Sequence, residues 1–209
     1  MYLLQCFYSM RIILLIRPFS GALPIYKHLK TFNGIRWFRE VLGFMSTVDL
    51  IVSRRSIRKY EKKDIPEDIL HQILETGRQA PSAVNRQPIR FVVVNDHDLL
   101  KDLCNNFIAR FVKYAPLAIV GCAYTKALWT GKWAVIDATI AMENMVISAW
   151  SLGIGSCWVG ACNKKKIKEL LKIPEKWKVV ALLTFGYPAE EPKQRKKKPF
   201  EEMFSYNTF

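Results

Sequence analysis

From Thr47 onward the chain alternates between two hydrophobic periods, one near 3.6 and one near 2. Thr47 to Ser53 sets Val48, Ile51 and Val52 on one side of a short predicted helix. Pro66-Glu67-Asp68 opens the next, with proline at the first helical position and acids in the first turn, where they complement the helix dipole. Ile69, Leu70, Ile73 and Leu74 form its apolar stripe, and Gly77 is expected to close it. Ile89 to Asn95 and Pro116 to Tyr124 read as strands between turn signals, with an amphipathic helix over Leu99 to Phe111 between them. The longest helical pattern is Trp133 to Leu152, in which Ile136, Ile140, Val146, Ile147 and Trp150 alternate with small residues until Gly153. A strand over Gly155 to Gly160, a helix over Lys164 to Lys172 and a last core strand over Trp177 to Phe185 complete the order.

That order predicts an α+β sandwich with a mixed sheet, and no repeat, low-complexity linker or domain break interrupts it after Met45. With 209 residues, half of them hydrophobic, the chain can bury a substantial single core. The segment beyond Pro188 is different, being rich in Pro, Glu, Lys and Arg until a late apolar patch of Phe200, Met203, Phe204, Tyr206 and Phe209. Such a tail cannot form a core by itself and must dock, most naturally on a partner subunit.

The net charge of +14 first suggests nucleic acid or an anionic surface as partner. Its distribution points elsewhere, because much of the excess after residue 44 sits in Arg54 to Lys63, Lys164 to Lys168 and Lys193 to Lys198. The Lys164 to Lys168 run reads as the solvated face of a helix. Five cysteines, Cys6, Cys104, Cys122, Cys157 and Cys162, are an odd number without regular spacing. They predict neither a disulfide framework nor a metal site, and a reducing cytoplasm fits them best.

Residues 1–44 stand apart. Tyr2 to Ile16 is apolar, but Arg11 interrupts it and Arg17-Pro18 ends it, short of the roughly 20 residues that a membrane span needs. The charges lie in the wrong place for a secretory signal, whereas the lack of acids before Glu40 is compatible with an organellar transit peptide. The preferred reading is an upstream extension from a misassigned start, with a weak membrane anchor as the second. The domain itself is expected over residues 45–209.

Two short segments carry the candidate chemistry. Ser53-Arg54-Arg55-Ser56-Ile57-Arg58-Lys59-Tyr60 packs guanidinium groups, a hydroxyl and backbone amides into one turn, which is what a phosphomonoester requires. In an extended segment Arg54 and Ser56 face one way and Arg55 the other, so the three arginines cannot all serve one phosphate. Ala80-Pro81-Ser82-Ala83-Val84-Asn85-Arg86-Gln87-Pro88 is a breaker-rich loop carrying side-chain amides. Taken singly, the first is equally a solvated basic turn and the second a surface loop. His28, His71 and His97 have no catalytic company, and neither a Ser/His/Asp set, a P-loop nor a dinucleotide glycine fingerprint is present.

In this order, with Gly155-Ser156-Cys157-Trp158-Val159-Gly160 downstream and a Lys/Arg tail behind Gly186-Tyr187-Pro188, the segments resemble the FMN-dependent nitroreductase family over about Met45 to Phe209. The resemblance implies a nitroreductase-like mixed sheet sandwiched by helices, in an intertwined homodimer with two FMN sites at its interface. It implies that Arg54, Arg55 and Ser56 meet the phosphate and ribityl chain, and that Arg58 lies near the flavin pyrimidine. Pro81, Ser82, Ala83 and Asn85 would form a second flavin-contacting loop, and Val159 and Gly160 would lie at the N5 edge, with Gly160 leaving room for substrate. Arg195 and Lys197 would return to clamp the phosphate. The role of Arg86 stays open, as does that of Trp158, either core packing or site wall; Cys157 is expected to be a core thiol.

The implied activity is FMN-dependent NAD(P)H oxidoreduction, with NADH or NADPH as donor, nitroaromatic, quinone or similar acceptors, and a ping-pong scheme. No residue is itself expected to be catalytic, since the flavin performs the hydride transfer. Other partners than a second copy and small molecules, namely nucleic acid and membrane, are not expected. Two alternatives stand beside this reading: a dehalogenase or flavin-cleaving relative, and a non-enzymatic basic module for nucleic acid.

Overall fold

Two hydrophobic clusters lie on opposite faces of one four-stranded sheet. The structure, a computed structural model, describes residues 46–104 and 106–209; the expectations for residues 1–44 lie outside the described residues. Its helices are α1 (Thr47–Ser53), α2 (Glu67–Arg78), α3 (His97–Leu103), α4 (Ala134–Ser151) and α5 (Lys164–Leu170). Its strands are β1 (Ile89–Val94), β2 (Leu117–Ala123), β3 (Gly155–Val159) and β4 (Lys178–Gly186), in the order β1-β2-β4-β3.

The central strands show why this is a sandwich. Along buried β2, Leu117 and Ile119 face the cluster formed with α2 and α4, whereas Ala118, Val120 and Cys122 face the cluster formed with α3 and α5. On β4, Leu183 and Phe185 face the first side and Leu182 the second. All ladders between the four strands are antiparallel, and the parallel component expected of a mixed sheet is confined to an isolated bridge between Ser56 and Ser156.

Three local expectations need correction. The helix expected over Leu99 to Phe111 stops at Leu103, because Cys104 leaves the helical region and is disulfide-bonded to Cys162; a short 3-10 turn follows at Arg110–Tyr114. That same bond overturns the expectation of unpaired cysteines: packing of α3 beside α5 brings the two within 5.4 Å between Cα atoms, across 58 residues of sequence. Gly77 does not close α2 but lies inside it, where a Cβ would stand 2.0 Å from Met145 Cε, so its absence of side chain lets α2 and α4 approach.

Several apolar faces have no cover within the described residues. On α1, Val48 and Val52 are 68% and 59% exposed. Trp133, just before α4, and Ile136 and Ile140 on it form an exposed stripe, and Phe200, Met203, Phe204, Tyr206 and Phe209 of the tail are exposed too. Among the described residues no helix is long and apolar enough to cross a membrane.

Candidate active site

The arginine turn is fixed from both ends. Helix termini leave their last carbonyls without intrahelical partners, and Arg55 Nη1 supplies that need by donating to the carbonyls of Val52, Ser53 and Arg54 at 2.9, 2.7 and 2.9 Å. The chain then runs beside β3, with Ile57 N–H donating to Ser156 O at 2.9 Å. Ile57 is buried against Gly155, where a Cβ would lie 2.6 Å from Ile57 Cγ1. Beyond it, Tyr60 OH donates to Ile57 O at 2.6 Å and lies 2.7 Å from Thr184 Oγ1, and burial raises its pKa well above the usual phenol range.

The tail returns along this same segment. Glu61 N–H donates to Tyr187 O and Ala189 N–H to Lys59 O, both at 2.9 Å. Glu190 Oε1 accepts from the backbone N–H groups of Arg58 and Lys59 at 2.6 and 3.1 Å. The tether sets the basic tail over the arginine turn, enclosing a cleft of about 380 Å³. Arg54, Arg55, Ser56 and Arg58 line one side, Lys193, Gln194, Arg195 and Lys197 the other, and no acidic residue lines it. Arg54 Nη1 is buried without a hydrogen-bond partner. A buried charged donor left unpaired is costly, and a phosphate is the kind of group that would satisfy it.

Arg58 belongs also to a second, smaller cleft of about 90 Å³, with Phe111, Trp158, Val159 and Gly160. Its guanidinium lies 5.8 Å from the Phe111 ring centroid. Trp158 is half-buried against the α2–α4 cluster and donates from Nε1 to Glu143 Oε2 at 2.8 Å, so it is both core and cleft wall. Val159 is buried, whereas a Cβ at Gly160 would meet nothing within 4 Å. Cys157 is a buried thiol with a raised pKa, burial being the main cause, and is held in its unreactive protonated form. Next to Gly160, Ala161 O accepts from the Asn106 side chain, and Cys162 carries the disulfide to Cys104.

The Pro81–Asn85 loop stands elsewhere. Ala83 N–H donates to Asp137 Oδ1 at 3.1 Å, near the start of α4, whereas the arginine turn is anchored near its end, where Trp150 Nε1 donates to Ser53 Oγ at 3.1 Å. At a rise of roughly 1.5 Å per residue, the two anchor points lie about 20 Å apart along α4. Ser82 Oγ accepts from Gln87 N–H and Asn85 Oδ1 from the Gln87 side-chain amide, each at 2.9 Å. Val84, Asn85 and Gln87 all have positive φ, at 46°, 54° and 52°, a region that non-glycine residues rarely occupy. Within one chain, the sequence-predicted residues thus form two groups: Arg54, Arg55, Ser56, Arg58, Val159, Gly160, Arg195 and Lys197 in adjoining clefts, and Pro81, Ser82, Ala83 and Asn85 at the far end of α4.

Sequence reasoning missed Glu190, Glu143 and Asp137, the acids that hold the tail, Trp158 and the loop in place. Only Glu190, just behind Gly186-Tyr187-Pro188, carried a positional hint.

An α+β sandwich with an anion-ready cleft at one sheet edge defines the structural class, and comparison with known proteins gives the family. The model described as the Nitroreductase family matches residues 51–129 and 115–187. A protein of Methanothermobacter thermautotrophicus bearing the name of an NADH dehydrogenase/NAD(P)H nitroreductase is 34% identical over 156 residues, 72% of this chain and 82% of its own. A protein of the same name from Archaeoglobus fulgidus is 37% identical over 153 residues, 68% of this chain and 85% of its own. Among solved structures, an FMN-dependent nitroreductase from Clostridium difficile R20291 superposes with a TM-score of 0.70 at 32% identity, covering 78% of this chain and 99% of that one. This chain belongs to the nitroreductase family, and it is an oxidoreductase of that family.

Proposed function

We propose that this protein is an FMN-dependent NAD(P)H oxidoreductase, acting on nitroaromatic, quinone or similarly electron-poor acceptors by a ping-pong scheme. The carrying observation is the acid-free cleft in which the arginine turn and the basic tail converge, with Arg54 in its lining and Arg54 Nη1 buried without a hydrogen-bond partner. Arg54, Ser56, Arg195 and Lys197 would hold the FMN phosphate, since forked and flexible cations together can neutralise a group carrying nearly two charges. Arg55 contributes less directly, because its Nη1 is committed to capping α1. Arg58 reaches from this cleft to the one beside Gly160, a placement that lets its charge stabilise an anionic ring edge. Bound FMN would supply the hydride chemistry, with donor and acceptor taking the same place in turn.

The Pro81–Asn85 loop enters through a second copy. It lies too far along α4 to join the arginine turn of its own chain, so in this reading the protein is a homodimer in which each site takes its phosphate cleft from one subunit and the loop from the other. The uncovered apolar faces of α1 and α4 and the apolar end of the tail give such a dimer its contact surface. Residues 45–209 hold every group that this site uses. With NAD(P)H as donor the reading places the enzyme in the cytoplasm, where the Cys104–Cys162 bond would be open to exchange with cellular thiols.

The test is to purify both the full chain and a chain beginning at Met45, and to chromatograph the extracted cofactor. Both are expected to be yellow, to release FMN and to oxidise NAD(P)H with a nitroaromatic acceptor. FAD, or no flavin after reconstitution, would overturn the assignment.

A further inference from the structure

A larger cleft lies beside the Pro81–Asn85 loop, beginning at Arg86, and shares no residue with the two clefts of the arginine turn. It measures about 760 Å³ and opens between the start of β1, the segment after β2 and the turn before β4. Tyr124, Trp129 and Trp177 line it together with Arg86, Arg90 and Lys176, and no acidic residue does. We infer that this cleft binds a planar aromatic anion, a ring bearing a carboxylate or phosphate, as a recognition site for one of the enzyme's two small-molecule reactants. The assignment to a reactant rests on the oxidoreductase reading; the binding itself does not.

The cations are available for such a ligand. Arg86, Arg90 and Lys176 make no ion pair with any described carboxylate. The Arg90 guanidinium lies 5.6 Å from the Trp177 ring centroid, and Trp177 lies 5.5 Å from Tyr124, so a cation and two rings form one continuous wall. An anion meeting Arg90 would bring its own ring against that wall, gaining charge and stacking together.

The opposite wall is a turn that displays a tryptophan. Trp129 is 87% exposed and has φ of 70°. Its neighbours hold it there: Thr130 is buried, Gly131 N–H donates to Ala127 O at 2.8 Å, and a Cβ on Gly131 would stand 2.2 Å from Thr125 O. A large aromatic side chain kept in a rarely populated backbone region and turned toward solvent is a cost that points to use. The volume lies within the roughly 300–1,000 Å³ of small-molecule sites.

Two reactants could supply this chemistry, an aromatic acid as acceptor or the adenine nucleotide of the donor. Calorimetric titration of the purified flavoprotein with 4-nitrobenzoate, its neutral counterpart 4-nitrobenzamide, and 2′,5′-ADP separates them. At least one of the two anions should bind saturably, at least tenfold more tightly than the amide, and the tighter names the reactant. The double variant Arg90→Ala/Lys176→Ala should lose that anion about tenfold or more while keeping its FMN, and Arg90→Lys/Lys176→Arg should retain most of it. Neither anion binding more tightly than the amide, or an unchanged affinity for the tighter anion in the alanine variant, would each overturn the inference. Loss of FMN from the wild-type assay would instead count against the flavin-dependent function, since these titrations need no turnover.

Discussion

The two groups of predicted flavin contacts sit at opposite ends of α4 and are built in opposite ways. The arginine turn is tied on every side: to α1 by Arg55, to β3 by Ile57, to β4 through Tyr60, and to the tail by Glu190. Its one unmet demand is chemical, the buried Arg54 Nη1. The Pro81–Asn85 loop is anchored chiefly by Asp137, carries strained φ angles at Val84 and Asn85, and presents Val84 and Asn85 to solvent. Charge has to be held rigidly to bind a phosphate well, because a preorganised donor loses little on binding. A loop that meets a flat ring from another subunit needs shape and small side chains instead.

Deleting residues 189–209 should break this comparison most severely. It removes Glu190, Arg195 and Lys197 from the tied half and the apolar end of the tail from the dimer, so flavin and dimer should be lost together. Sedimentation and the visible spectrum of the truncated protein check this; a yellow dimer would show that the tail is dispensable to both. Next in size is the Cys104–Cys162 bond, which fastens the residues beside Gly160 and has no counterpart near the loop among the described residues. Cys162→Ser should lower stability by about 2–4 kcal/mol, or Tm by roughly 5–15 °C, as read by thermal unfolding with and without reductant. Wild type that shows no reductant-dependent shift would mean that the bond carries no stability.

A smaller and more discriminating pair is Arg54→Ala and Asn85→Ala. Loss of a charge-assisted contact costs about 1.5–3 kcal/mol and of a neutral one about 0.5–1.5 kcal/mol. Titration of the apoprotein with FMN should therefore show a loss of about ten- to hundredfold for the first and about two- to tenfold for the second. Equal and negligible effects would reduce both segments to ordinary surface.

Much of the architecture was legible because it is written locally. Val48, Ile51 and Val52 mark α1 with the bounds observed, and runs rich in Val, Ile and Leu mark β1, β2 and β4, whereas β3, Gly-Ser-Cys-Trp-Val, carries no such run. What the pattern could not say was which of those faces the chain would cover itself, and the apolar face of α1 stays exposed. The break after Leu103 was hidden because the 3.6 period continues through it; the interruption comes from Cys162, which lies far off in sequence. For the same reason Glu143 and Asp137 gave no signal, since a single acid in an apolar helix acquires its role only when packing brings Trp158 or Ala83 beside it. The arginine turn and the loop were recognisable as motifs, but their separation along α4 is a property of the fold alone.

The proposed flavin site, shared between two chains, rests on that separation, and complementation between two disabled chains tests it most directly. Arg54→Glu disables the phosphate half and Ala83→Trp the loop half, so each homodimer should be colourless after reconstitution with FMN. In a mixed dimer with two-fold symmetry, one site collects both lesions and the other collects none. Equal co-expression of the two chains should therefore restore FMN and activity to about one quarter of the wild-type sites, from the half of all dimers that are mixed. If instead the mixture stays as colourless as its parents although mixed dimers form, both halves of each site come from one chain, and the shared site is contradicted.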